Sequence, residues 1–293
     1  VGPSDLLDLF ASAVRLATPL AFAAMGGYLS ERGGVINIAL EGKMLIGAFA
    51  AAVIAYATGS PWLGFLAGGA AGALLGSVYS WLAITLRANQ IVAGTGINML
   101  AYGIPPFVAK ILYDVTGSTP GLAIGERFSY APVPLVAILI VALWAWSSHT
   151  RSGLWHGFAG EHPQALAAAG IRVSRVRWLA VVAGGCLAGL GGASLSIFLS
   201  SSYSKNMTAG RGFIALAALI LGKWRAPHAA LACLFFGLAD AVQIRLQGVE
   251  VAGVGTVPVQ FIQILPYVIT LVVLAGVVGR AEAPKALGTP TPG

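Results

Sequence analysis

The chain has 293 residues, 57% hydrophobic and only 9% charged, with a mean hydropathy of +0.84, whereas an ordinary soluble domain carries about 25% charged residues. So little polar surface cannot solvate a globule of this size, which excludes a soluble enzyme or binding module. The formal net charge of +7 does not mark a nucleic-acid binder either, because the Lys and Arg residues sit at the ends of apolar runs and form no single basic face.

Charge-poor windows of about 18–24 residues match the length a helix needs to cross roughly 30 Å of hydrocarbon. The short alternating segments of a β-barrel are not present. The expected fold is therefore an all-α polytopic membrane protein with about 8–10 crossing helices, some of them short or broken. In chain order the apolar segments fall at 9–29, 36–56, 62–86, 91–113, 132–148 and 178–199, then a short one at 213–222, and two more at 229–246 and 259–278. They form one transmembrane domain over 1–280, with a polar loop at 150–177 and a tail over 281–293 that its prolines and glycines mark as disordered. Asp5 and Asp8 stand where a signal peptide would be basic, and the start at Val1 points to trimming.

Two of these segments are irregular. The stretch 31–43 (ERGGVINIALEGK) places Gly33, Gly34, Asn37, Glu41, Gly42 and Lys43 at or inside the start of the second span. The segment 213–222 is half a bilayer long as a helix, and is bracketed by Gly210, Arg211 and Gly212 before it and by Lys223, Trp224, Arg225 and Pro227 after it. Irregular backbone at membrane depth is tolerated only where it is buried in protein or lines a cavity, and broken helices point to a transport path. Between them, Gly64, Gly68, Gly72 and Gly76 form a stripe that Gly185 and Gly189 repeat. Small residues at this spacing let helix backbones touch, within one subunit or across a dimer seam.

Polar residues inside a span are costly and are functional candidates by default. Asn37, Glu41, Asn98, Asp240 and Gln243 are the candidates for a solute path, with Gln260 and Gln263 of similar standing. Each also has a structural reading: an ion pair of Glu41 with Lys43 or a bond to broken backbone, an interhelical bond for Asn98, and a shared helix face for Asp240 and Gln243. Cys186 and Cys233 lie in apolar runs as small packing residues, so neither a disulfide nor a metal site is expected. No catalytic residue is expected. In the two Gly-Lys pairs, 42–43 and 222–223, the first glycine of a phosphate-binding loop is replaced by Asn37 and Ala217. The four histidines, His149, His156, His162 and His228, are too scattered for a metalloprotease helix.

Arg32, Arg87, Arg151, Arg172, Arg175, Arg177, Arg280 and Lys285 fall on one side of a nine-segment topology, with Lys110, Arg127, Lys205 and Arg245 as exceptions on the other. The positive-inside rule makes that side cytoplasmic, with the N-terminus outside and the C-terminus inside. The same side receives 157–173, a soluble-looking amphipathic stretch between two apolar runs. It reads as a docking surface for a cytoplasmic partner. Ala165 to Ala169 favour a short helix there, and Pro163 fits its first turn.

Three stretches carry a resemblance: LSERGGVINIALEGKMLIGA at 29–48, GEHPQALAAAGI at 160–171 and NMTAGRGFIALAALILGKW at 206–224. Over most of its length the chain resembles the permease subunits of bacterial nucleoside and simple-sugar ABC importers, which belong with the ribose and branched-chain amino acid permeases. The third stretch is similar to the nucleoside branch. The resemblance implies a multi-pass subunit of the cytoplasmic membrane that moves a small polar solute by alternating access. It further implies two cytoplasmic ATPases that bind the ATP and Mg, a second, non-identical permease, surrounding membrane lipid and an extracytoplasmic solute-binding lipoprotein. The loop would be the coupling helix seated on an ATPase, carried by Gly160, Glu161, His162, Pro163, Ala165, Ala168 and Gly170. The family's usual Gly-Glu-Asn-Pro has His162 in place of the Asn. The competing readings are a simple-sugar or branched-chain amino acid permease and a secondary transporter or channel.

Overall fold

The computed structural model describes residues 3–247, 250–251, 255–256, 268 and 282–290. Ten α-helices follow in order: α1 Pro3–Arg32, α2 Leu40–Thr58, α3 Pro61–Ser80, α4 Gln90–Tyr113, α5 Pro132–His149, α6 Arg151–Glu161, α7 Pro163–Ala168, α8 Val173–Ser194, α9 Arg211–Leu221 and α10 Ala226–Leu246. π-Helical turns extend α3 over Trp81–Thr85 and α8 over Leu195–Leu199. Among the described residues seven helices are long and apolar enough to cross a membrane, and α9 is a shorter apolar helix. This is the expected all-α polytopic architecture. A two-residue antiparallel pair follows, β1 Glu250–Val251 with β2 Gly255–Thr256. The expected last segment, 259–278, with Gln260 and Gln263, lies outside the described residues.

Helix ends follow local chemistry. The side chain of Asn89 accepts from the Ile91 and Val92 amides at 3.0 and 3.2 Å, and Thr150 accepts from the Gly153 amide at 3.0 Å, so donors that the first turns of α4 and α6 leave unpaired are satisfied. Gly59 closes α2 in the left-handed region, at φ +67°.

Glycine decides the packing. A Cβ built on Gly72 would collide with the Gly185 carbonyl, and one on Gly68 would meet Ala193 and the Gly47 carbonyl at 2.8 Å. The stripe on α3 therefore seats against α8 and, at Gly64 and Gly68, against α2, within one chain. Gly184 and Gly191 make the same kind of contact with α1, Gly189 with α3 and Gly192 with α2. Helix α8 is thus the hub, touched by α1, α2 and α3 at backbone distance. Helices α4 and α5 lie outside, with Met99, Phe107, Ile138 and Val141 largely exposed.

The two ends of the bundle differ. At one end, Arg245 donates to the Asp5 carbonyl, and the loop after α4 bonds along 197–203 through the Thr119, Leu122 and Phe128 amides. At the other end lie α6, α7 and the tail. The expectation of a disordered tail does not describe 282–290. The Ala286 amide donates to the Gly160 carbonyl at 2.8 Å, and the Gly288 amide to the Gly34 carbonyl at 3.1 Å. A proline- and glycine-rich composition signals little core of its own, but this segment borrows partners from α6 and from the turn after α1.

Candidate functional site

Residues 33–39 are not helical, as 31–43 led one to expect, and their polar groups are paired almost completely within the chain. Gly34 takes φ +94° to turn the backbone after α1. Beyond it, the Ile36 amide donates to Gln90 Oε1 at 2.8 Å, and the Tyr79 hydroxyl reaches the Ile36 and Gln90 carbonyls. Asn37 is fully buried. Its Nδ2 donates to Ser30 Oγ at 2.8 Å, its amide to Glu31 Oε1 at 3.4 Å, and its Oδ1 accepts from Lys43 Nζ at 2.7 Å. Glu31 also accepts from Trp224 Nε1 at 2.8 Å, and the Lys43 ammonium stands 4.6 Å above the Tyr79 ring. Glu31 and Lys43 are thus joined through one asparagine, by its backbone amide and its side-chain oxygen, and Lys43 gains a ring face.

The next three residues tie α2 to three places. Glu41 forms no ion pair with Lys43. Its Oε1 accepts from Thr208 Oγ1 at 2.6 Å and the Gly210 amide at 2.8 Å, and its Oε2 accepts from the Gly212 amide at 2.7 Å. A carboxylate at the start of α9 satisfies amides the helix leaves unpaired and opposes the positive end of its dipole. Gly210 supplies the left-handed backbone there, at φ +85°, and a Cβ on Gly212 would lie 2.5 Å from the Glu41 backbone. The Gly42 amide donates to Asn98 Oδ1 at 2.8 Å, while Asn98 Nδ2 donates to the Ile38 carbonyl at 3.0 Å. Lys43 closes the set on Asn37.

Asn37, Glu41 and Asn98 therefore meet in one buried junction. Asp240 and Gln243 do not. They are half-buried on α10, which packs on α1, α5 and α9, and the charge of Arg211 at the start of α9 acts on Asp240.

At the opposite end of the turn lies the loop expected to dock a partner. Pro163 occupies the first position of α7, as its place in the sequence implied. Pro163 and Leu166 face inward, whereas Glu161, His162, Gln164, Ala165, Ala168 and Gly170 are exposed. Gly160 lies so close to the Arg32 carbonyl that a Cβ would overlap it and would stand 3.1 Å from the Gly34 amide. Arg177, 1% exposed, donates from Nε and Nη2 to the Ala159 carbonyl and from Nη1 to the Thr289 carbonyl at 2.7 Å. The Lys285 amide donates to Glu161 at 3.3 Å. His156 Nε2 lies 2.7 Å from the Leu29 carbonyl. Because a carbonyl only accepts, the ring proton sits on Nε2, and the buried Nδ1 is left with no partner among the described residues. Burial, with a contribution from the Arg32 charge, holds this imidazole down to about pKa 4 against the Leu29 hydrogen bond.

Sequence reasoning does not single out Ser30, Tyr79 and Thr208 as members of the junction, has Glu31 only as the start of the irregular stretch and Gln90 only as one of the polar residues near Asn98, and reads Arg177 only as a topology marker. Tyr79 and Thr208 meet partners 43 and 167 residues away and Glu31 meets Trp224 193 residues away, whereas the bonds of Ser30 and Glu31 to Asn37 span only seven and six residues but depend on how the chain turns after α1.

Residues 9–278 match the family model described as the permease component of branched-chain amino acid transport systems. The chain is 37% identical to the nucleoside ABC transporter permease protein NupC of Lactococcus lactis, over 97% of this chain and 96% of that one. It is 38% identical to the guanosine ABC transporter permease protein NupQ of Bacillus subtilis, over 94% and 93%. A putative glucose ABC transporter permease of Haloferax volcanii is 32% identical over 94% and 93%. No solved structure matches.

Proposed function

Because the chain belongs to the permease family of branched-chain amino acid and related ABC transport systems, we propose that it is the membrane subunit of an ATP-driven importer of nucleosides. The solute class rests on the two relatives named for nucleoside and guanosine transport. A simple sugar is the second reading, favoured by the glucose permease relative.

The observation that carries the mechanism is a continuous contact path from the exposed face of α7 to the buried junction. Gly160 abuts Arg32 and Gly34, Gly34 begins the irregular stretch 33–39, and that stretch is pinned to α4 through Asn98 and runs into Glu41, which holds α9. A push on α7 is thereby delivered to backbone that is not helical and can rearrange without breaking a helical ladder. The α7 end faces the cytoplasm, which puts the C-terminal segment inside and the N-terminus outside. Separate ATPases bind ATP and Mg and seat on Ala165, Ala168 and the residues around them. A second, non-identical permease completes the pore, and an extracytoplasmic lipoprotein delivers the solute. Asp240 and Gln243, half-buried near Arg211, line the path, while Asn37, Glu41 and Asn98 form its frame.

Uptake and ATP hydrolysis measured in the reconstituted complex test this reading. Ala165→Arg is expected to cut uptake at least tenfold while the complex still inserts, and unchanged uptake overturns the coupling role. Asp240→Leu is expected to lower uptake with hydrolysis retained, and equal uptake removes Asp240 from the path.

A further inference from the structure

A cavity of about 680 Å3 lies between α5, α6 and the first half of α8, within the roughly 300–1,000 Å3 of small-molecule sites. The junction does not form it, and of the stretch 160–171 only Gly170 and Ile171, just after α7, reach its rim. Its lining changes character along α8. Arg172 and Arg175 stand at the end where α8 begins, and Leu179 and Ala183 follow deeper in the span. From Arg175 to Ala183 is about 12 Å at 1.5 Å per residue. On α5, Leu143 takes the deeper position and Trp146 the shallower one, with Trp155 of α6 beside the rim.

We infer that this cavity binds one anionic phospholipid of the surrounding membrane, its phosphate on Arg172 and Arg175 and an acyl chain laid along Leu143, Leu179 and Ala183. The two arginines are exposed, three residues apart on one turn, and in no ion pair among the described residues. Basic groups at the membrane boundary between helices favour acidic headgroups, and tryptophans belong at headgroup depth. A second polar group fits the headgroup and not the phosphate: His156 is 2% exposed, lines the cavity, and keeps a buried acceptor nitrogen with no partner among the described residues, to which a headgroup hydroxyl can donate. A docked ATPase is the poorer occupant, because the floor at Leu179 and Ala183 belongs to a membrane-spanning helix, whereas the exposed aqueous face of α7 lies beside the cavity.

The test is native mass spectrometry of the assembled complex after equilibration with vesicles of equal phosphatidylglycerol and phosphatidylcholine. The expected result is phosphatidylglycerol retained about 30-fold over phosphatidylcholine, from about fivefold per basic residue. The double variant Arg172→Gln with Arg175→Gln should lose about 30-fold of that retention, from about fivefold per basic residue, and Arg172→Lys with Arg175→Lys should keep most of it. Equal retention of the two lipids by the unaltered complex overturns the inference, and that arm decides alone if the double variant fails to assemble. Undiminished phosphatidylglycerol in the double Gln variant overturns it as well. If that variant instead sheds its ATPase with lipid retention unchanged, the face is a protein contact. Lipid retention is read without any uptake, so a wrong solute assignment leaves this result unaffected.

Discussion

The junction around Asn37 and the outer face of α7 are both polar interruptions in an apolar chain, and they are built in opposite ways. In the junction nearly every donor and acceptor is spent inside the molecule: Asn37, Glu41 and Asn98 are 0%, 0% and 5% exposed and each holds two or more partners. On α7 two residues face inward and the others are left to solvent. The contrast teaches that a polar residue at membrane depth is first a solution to a backbone problem. On α7, where water can satisfy the backbone groups that a six-residue helix leaves open, the small residues stay exposed, as the proposed coupling role requires.

The largest break expected in this contrast is at Glu41. Replacing it by Leu strands one hydroxyl and two amides at the start of α9, at about 1–3 kcal/mol for each buried donor left without a partner. Glu41→Leu should therefore lose about 3 kcal/mol or more of stability, read as a steep fall in folded protein on thermal unfolding in detergent. Glu41→Gln should recover part of it, since one amide oxygen still accepts. A melting temperature unchanged in the Leu variant would show that α9 does not depend on this carboxylate.

The next effect is a pH dependence at the boundary between the two regions. His156 has its pKa lowered from 6.5 to about 4, so above pH 6.5 folded and unfolded forms are both neutral and the stability is fully present. Between 6.5 and about 4 the unfolded chain takes up a proton that the folded one refuses, and stability falls as the pH drops. The full loss is on the order of 3 kcal/mol. Thermal unfolding of the wild type from pH 7.5 to 4.5, beside His156→Phe, measures it. The variant should lose most of the slope, and an equal slope in both proteins would assign the effect to other groups.

The same contrast separates what the sequence could reveal from what it could not. Helix positions were legible because hydrocarbon thickness imposes a length on apolar runs, and the Gly64 to Gly76 stripe was legible because small residues at four-residue spacing have one main use in lipid. The irregularity of 31–43 was legible from its glycines and charges. The identity of its partners was not: Glu41 and Gly212 are 171 residues apart, and no local rule pairs an acid with a glycine amide on another helix. Lys43, two residues from Glu41, suggested an ion pair that the helix geometry directs elsewhere, toward Asn37. The arrangement of 282–290 was hidden for the same reason, since beyond the turn bonds within the tail its partners are Gly34, Gly160 and Arg177.

The smallest stability effect should come from the other region. Ala168 is exposed near the end of α7, and neither it nor its neighbours Ala167 and Ala169 face inward. Ala168→Lys removes no buried contact, so the isolated permease should melt within about 0.5 kcal/mol of the wild type. Its affinity for the ATPase, measured by co-purification at increasing dilution, should nevertheless fall at least tenfold, because an added chain and charge must be accommodated in a surface shaped for a methyl group. A variant that instead loses several kcal/mol in isolation would place α7 with the junction, as a piece of the fold rather than a surface kept free. Unchanged melting with unchanged co-purification would move the contact to the neighbouring exposed residues Glu161, Gln164 and Ala165, where the same pair of measurements can locate it.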